Sequence, residues 1–180
     1  YKIVFENKLF WSSVRTTVFV TVVGTFLGVI CSVAAAYPLS KKDLPGGKFF
    51  FNMMLFTMFF SGGLIPGYLV VQQVGLGDSI WCMILPVLVG QFNIILIKNY
   101  VEDLPASIEE SARIDGANDM VILFKIILPM STPIIATVAL FIAVDRWNEY
   151  WFAMLHIIDK AKQPLQLLLR NVLMDTTHAM

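Results

Sequence analysis

Carboxylates and a guanidinium are grouped on one polar segment, at Glu109, Glu110, Arg113, Asp115 and Asp119, among the small residues Ser111, Ala112, Gly116 and Ala117. The pattern reads Glu110, two small residues, three positions, Gly116, nine positions, then Ile126, Leu128 and Pro129. Ser107 and Glu110 have the spacing of a capping box, each arm of which is worth about 1 kcal/mol, so the spacing predicts a short helix from Ile108. Gly116 suits a left-handed helix end, and Asn118 or Asp119 can cap a second helix running toward Pro129. At helical spacing Ile108, Ala112 and Asp115 share one side, which leaves Glu109, Glu110 and Arg113 for a partner. Small side chains at Ser111 and Ala112 allow that partner to approach closely. The chemistry of such a segment is recognition rather than bond breaking.

A second polar group, Asp145, Arg146 and Glu149, sits inside a long apolar stretch beside Trp147, Asn148 and Tyr150. An ionisable group at a bilayer centre costs about 3 kcal/mol or more. Arg146 and Glu149 are three apart and can pair, whereas Asp145 and Glu149 repel. Two readings stay open: an anchor near the membrane surface with an internal ion pair, or a pathway lined by Arg146, Trp147, Asn148, Glu149 and Tyr150, with Gln91 and Asn93 contributing from another span. Gly75-Leu76-Gly77-Asp78 matches the G-x-G-D of intramembrane aspartyl proteases, whose two carboxylates share a proton, but Asp78 falls in a turn and lacks such a companion. Cys31 and Cys82 read as small hydrophobes, and His156 and His178 are solitary. No H-E-x-x-H or G-x-S-x-G occurs, and Gly46-Gly47-Lys48 lacks the rest of a phosphate loop. No catalytic residue, metal ligand set or bound cofactor is expected.

The elements that carry these residues are set by composition. Of 180 residues 57% are apolar and 14% charged, and the net charge is zero, so nothing favours nucleic acid. The mean hydropathy is +0.73. Roughly 20 apolar residues cross a bilayer core as a helix, and four stretches qualify: residues 17–37, 49–71, 80–97 and 127 to about 155. Short connections make consecutive spans antiparallel, and the need to pair backbone groups in lipid makes the bundle all-α. Lys41, Lys42 and Lys48 place the first connection in the cytoplasm, and the polar segment 98–126 then lies on the same side. Lys2, Lys8, Arg15, Lys160, Lys162 and Arg170 fall on the other side in equal number, so charge alone does not fix the orientation. Gly24 with Gly28 and Gly63 with Gly67 are spaced for close helix packing within the bundle, while Gly62, Gly63 and Pro66 weaken the second span. The chain starts at Tyr1 and stops at Met180 in a polar stretch, and is expected to be a central piece of a longer polypeptide.

The chain resembles the permease subunits of type I ABC importers of the maltose-permease-like branch, above all the polysaccharide and complex-oligosaccharide permeases associated with solute-binding lipoproteins. The carriers are Ala36-Tyr37-Pro38-Leu39-Ser40, Phe60-Ser61-Gly62-Gly63-Leu64-Ile65-Pro66, the loop 109–116, Leu128-Pro129, Trp147-Asn148, Pro164-Leu165-Gln166 and Leu169-Arg170. Ser111 replaces the usual first Ala, and Asp145-Arg146 are more charged than the subgroup tends to be. The resemblance implies a multi-pass protein of the bacterial plasma membrane, a single permease domain over residues 1–180 with one span absent at each end. It also implies a second permease, two cytoplasmic ATPase subunits that bind ATP and Mg, an extracytoplasmic solute-binding protein and an oligosaccharide substrate. The loop would dock on an ATPase, Glu110 meeting a basic residue there. An importer of a non-sugar solute is the alternative.

Overall fold

The computed structural model describes residues 8–178, with side chains through Met174. The expectations for Lys2 and for the His178 imidazole lie outside them. Every regular element among the described residues is helical. Helix α1, Lys8–Leu39, is evenly apolar, and its 32 residues reach about 48 Å against a core of about 30 Å. It is the one described helix long and apolar enough to cross a membrane unbroken.

The other three expected spans are interrupted, for local reasons. Residues 49–71 form α2, Gly47–Phe59, and α3, Leu64–Gln73, parted where Gly63 takes a φ of 92°. The stretch 80–97 starts as two 3₁₀ turns, Ile80–Met83 and Leu85–Val87; Ser79 Oγ accepts the Trp81 N–H at 3.4 Å at the start of the first, and Pro86 in the second has no N–H to extend an α-helix. It then continues as α4, Gln91–Glu102. The fourth stretch is divided among α6, Asp119–Met130, α7, Thr132–Trp147, and α8, Trp151–His156, and α6 and α7 meet at a 78° bend. Within α6, residues Leu123–Ile127 form a π turn in which the Leu128 N–H reaches Leu123 O. That wider turn precedes Pro129, whose ring crowds the carbonyl four residues back in a regular α-helix. Four spans are counted only if each bent pair is taken as one. Helix α5, Ala106–Ile114, lies between α4 and α6, and α9, Leu165–His178, follows a 3₁₀ turn, Lys160–Lys162.

The chain divides into two compact units. The first comprises the chain up to Leu27, Gly62–Leu88 and Phe141–Met180. Its core joins Val20 of α1, Val71 of α3, Cys82, Met83 and Ile84 of the 3₁₀ segment, Ala153 of α8, Ile157 and Leu167 of α9. Cys82 is a buried hydrophobe as expected, and Cys31, in the second unit, is half-buried; neither is in a disulfide. The Thr17 hydroxyl donates to Ser13 O at 3.0 Å and accepts the Leu165 N–H at 2.8 Å, tying α1 to the start of α9.

The G-x-G-D run closes this unit mechanically. Gly75, at φ 79°, ends α3 in a Schellman turn: its N–H bonds to Gln72 O and the Leu76 N–H to Val71 O. Asp78, at φ 50°, then accepts from the Ile158 and Asp159 N–H groups at 3.1 and 3.0 Å, while its second oxygen takes the Lys162 ammonium at 2.8 Å. These donors hold the Asp78 carboxyl below the usual carboxylate range, the Lys162 hydrogen bond most of all, and Asp78 holds Lys162 above its own. A carboxylate so committed is a clasp between two loops, which removes the protease reading. Among the described residues nothing packs closely on Gly67, where a Cβ would meet no atom within 4 Å, and Gly63 is required for its positive φ.

The second unit comprises Gly28–Ser61 and Val89–Leu140. Its buried side chains include Ala36 and Tyr37 at the end of α1, Ile94, Ile97 and Val101 of α4, Ala112 of α5, and Ile122 and Ile127 of α6. Lys98 pairs with Glu102 at 2.7 Å and lies 4.9 Å over the Phe51 ring, and the Tyr100 hydroxyl donates to Met130 O. An open hollow of about 1180 Å³ beside α5 is lined by Tyr37, Lys41, Glu109, Arg113 and Asp119, among others.

Candidate functional site

Helix α5 begins earlier than its capping-box pattern predicts. Pro105, extended at φ −58° and ψ 122°, is the N-cap, no side chain caps the helix, and the Ile108 N–H bonds to Pro105 O. Ser107 is therefore inside the first turn, where its hydroxyl cannot reach the donors a capping box would satisfy. Glu109 near the N-terminus and Arg113 in the last turn complement the helix dipole instead.

The other end follows the sequence closely. Gly116 has φ 85°, its N–H bonds to Arg113 O at 3.0 Å, and the Ala117 N–H bonds to Ala112 O at 2.9 Å. Those two bonds define a Schellman turn. Asn118 then caps α6, its Oδ1 accepting the Val121 N–H at 2.9 Å. Of the two residues expected to cap, Asn118 does so, and Asp119 pairs with Arg113.

At 100° per residue the faces of α5 separate cleanly. Ala112 is buried and Ile108 half-buried on the inner side, as expected, while Asp115 has moved out to the exposed cap. Glu109 turns inward to an ion pair with Lys41, whose ammonium also sits 4.2 Å over the Tyr37 ring. The Tyr37 hydroxyl reaches Asp119 O at 3.5 Å. Of the three charged side chains expected to be free for a partner, only Glu110 is without an ion pair among the described residues. It shares the outward face with Ser107, Ser111 and Ile114. Ile114 is 87% exposed, an apolar side chain held in the open beside a carboxylate. It was legible as the one large apolar residue of the segment that falls off the Ile108–Ala112 side.

The residues expected to line a pathway fall in both units. Gln91 and Asn93, half-buried at the start of α4, belong to the second unit, and residues 146–150 belong to the first. No ion pair joins Arg146 to Glu149. The Arg146 stem runs across Gly24, where a Cβ would lie 3.1 Å from its Cγ and Cδ, and Nη1 donates to Met83 O at 2.9 Å. Gly24 thus admits an arginine stem. Glu149 Oε1 accepts the Phe152 N–H at 2.8 Å and caps the start of α8. The helix that the sequence pattern ran straight through this region stops at Trp147, and a backbone carbonyl and an N–H replaced the expected i,i+3 partner. Trp147, Asn148 and Tyr150 are exposed. Two residues not assigned to the site join them: Gln166 Nε2 donates to Asn148 Oδ1 at 3.5 Å, and the Arg170 guanidinium lies 6.0 Å from the Tyr150 ring centre.

Residues 19–158 match the family described as binding-protein-dependent transport system inner membrane component. The chain is 48% identical, over 96% of its length and 60% of the relative's, to the polygalacturonan/rhamnogalacturonan transport system permease protein YtcP of Bacillus subtilis strain 168. It is 46% identical to protein LplC of the same strain, over 96% of this chain and 58% of LplC. Among solved structures it superimposes with a TM-score of 0.94 and 41% identity on a chain of a bacterial ABC transporter involved in the import of the acidic polysaccharide alginate. That match covers 97% of this chain and 62% of the other. The chain thus spans about 60% of the length of the relatives it matches.

Proposed function

The chain belongs to the family of binding-protein-dependent transport system inner membrane components, and on that premise we propose that it is the permease subunit of an ATP-driven importer of oligosaccharides or polysaccharide fragments. It is a transport subunit of the inner membrane and not an enzyme. The observation that carries the reading is the outward face of α5, where Glu110 and Ile114 stand clear while the inner face is anchored by Ala112 and by the Lys41–Glu109 pair. A short helix held on one side and bare on the other is built to be gripped. In this reading a cytoplasmic ATPase subunit takes Ile114 into an apolar cleft and meets Glu110 with a basic side chain. ATP and Mg are held by the two ATPase subunits, and their closure moves α5. A second permease completes the pathway, and a solute-binding protein delivers the glycan. The substrate class is supported by the names of the relatives.

The test is ATPase activity of the full complex in liposomes with its binding protein, comparing wild type with Glu110→Lys. Stimulation by glycan-loaded binding protein in the wild type, abolished in the variant, is the expected result. A variant stimulated like the wild type removes α5 as the docking element.

A further inference from the structure

The joint between α7 and α8 holds two opposite charges, three residues apart, that do not meet. Each is engaged by a backbone group instead: Arg146 Nη1 donates to Met83 O at 2.9 Å, and Glu149 Oε1 accepts the Phe152 N–H at 2.8 Å. Arg146 Nε is buried with no hydrogen-bond partner among the described residues, a costly state for a donor. Asn148 closes α7, its N–H and its Nδ2 both donating to Val144 O at 3.1 and 2.8 Å. The Tyr150 and Trp151 N–H groups then make no backbone hydrogen bond among the described residues. The breaks in the other apolar stretches hold or adjoin a residue that interrupts helices, Gly63, Pro86 with Gly90, or Pro129 with Pro133. From Asp145 to His156 there is neither Gly nor Pro. This break is therefore held by side chains and packing, and the chain's own chemistry permits a continuous helix through it.

We propose that the α7–α8 joint is a two-state element of the transport cycle: broken, as here, with Glu149 capping α8, and continuous, with Glu149 paired to Arg146. Its use in transport rests on the import reading above. When residues 148–150 turn helical, the Phe152 N–H takes Asn148 O, four residues back, and no longer needs Glu149. The Tyr150 and Trp151 N–H groups gain acceptors at Arg146 O and Trp147 O in the same way. Arg146 and Glu149 come onto one face, as residues three apart do on a helix. A guanidinium has five N–H donors, so Arg146 can keep Met83 O and still offer the carboxylate the donors it leaves idle here. Every group released by the change finds another partner, which brings the two states close in energy and lets a small bias choose between them. Packing favours the broken state seen here, because Ala153 and Ile157 are seated in the core of the first unit. Helix α8 leads directly into Ile158 and Asp159, whose N–H groups Asp78 holds, so the joint lies between α7 and that clasp.

The experiment follows amide exchange on peptides covering residues 147–153 of the reconstituted complex with its binding protein, nucleotide-free and trapped with ATP, Mg and vanadate. Wild type is expected to exchange about tenfold more slowly in one of the two states, the weight of one charge-assisted hydrogen bond. Glu149→Gln can still accept the Phe152 N–H but brings no charge, so its two states are expected to exchange alike, at the faster wild-type rate. Arg146→Gln is expected to do the same, and the double variant to add nothing further. Equal exchange of the wild-type peptides in the two states overturns the proposal, as does a Glu149→Gln complex that keeps the wild-type difference. Exchange of Glu149→Gln faster than wild type in both states shows that the carboxylate serves only as a cap, and overturns it too. ATPase stimulation by glycan-loaded binding protein is recorded in parallel on the wild type. Stimulation with no change at residues 147–153 sinks the joint and leaves the import reading standing, whereas a complex that is not stimulated removes the import reading and the role given to the joint with it.

Discussion

Replacing Gly116 by Ala isolates the backbone term at the end of α5, because a Cβ there would meet nothing within 4 Å. The whole cost is then the clash of that Cβ with its own backbone at φ 85°, about 1–2 kcal/mol. The reduced freedom of the unfolded chain offsets about 0.5 kcal/mol of it, leaving about 1 kcal/mol, or roughly a fivefold shift in the opening equilibrium of the helix end. Helix α5 has nine residues and cannot persist on propensity alone, so the loss falls on the Asp115, Gly116 and Ala117 amides, which bond to Ser111, Arg113 and Ala112. Amide exchange of the assembled complex, read on peptides covering residues 106–117, should speed up about fivefold while peptides from α9 stay unchanged. Gly116→Asn should lie between, because Asn tolerates the left-handed region better than Ala. If Gly116→Ala exchanges like wild type, the Schellman turn is not what ends α5 and the reasoning fails.

The Lys41–Glu109 pair is mostly shielded, with side chains 24% and 22% exposed, so a double-mutant cycle of Lys41→Met and Glu109→Gln read by thermal unfolding should show a coupling of about 1 kcal/mol; zero coupling would mean the pair does not hold α5. The Asp78–Lys162 clasp should set the acid limb of stability. Asp78's carboxyl is lowered by Lys162 and by two backbone donors, so its contribution is present above the ordinary carboxylate range and is lost as pH falls through its folded-state value. Lys162 is raised, so its share is present below the ordinary lysine range and is lost only on the alkaline side. Unfolding temperatures from pH 3 to 7 should converge for wild type and Asp78→Asn at the acid end and separate toward neutrality. Parallel curves would show that the clasp does not form.

What sequence reading captured and what it missed divide along the range of the interactions. Gly116 and Asn118 do their work within five residues, so their types alone announce a left-handed helix end and a cap. Ser107 and Glu110 are equally local and misled, because Pro105 supplies both the extended backbone and the acceptor that start the helix two residues early. The apolar lengths marked the long apolar segments, but hydropathy does not encode the local breakers within them, the Ser79 cap and Pro86 at the 3₁₀ turns or the break at residues 148–150. Arg146 shows the limit most plainly. Its sequence neighbour Glu149 offered an ion pair, and its actual partner, Met83 O, lies 63 positions away across a glycine. Arg170 was visible only as part of a resemblance, since nothing local marks it as lying over Tyr150.

The attachment of α5 determines what a force on it can reach. Its outward face carries Glu110 and Ile114, and among the described residues no ion pair engages Glu110 and Ile114 is 87% exposed. The inner face is tied by burial of Ala112 and by the Lys41–Glu109 pair, and the start of α6 is tied by the Tyr37 hydroxyl on Asp119 O and by Arg113 bonded to the same Asp119. Lys41 and Tyr37 stand at the end of α1, the one helix that runs unbroken from Leu39 back to Lys8. On the other side α5 passes through a Schellman turn and an Asn cap directly into α6, with no slack residues between Gly116 and Asn118 beyond Ala117. A displacement of α5 is therefore not absorbed by a flexible loop. It is delivered to the end of α1 and to α6, and α6 has a π turn and a 78° bend next to it where the motion can be taken up.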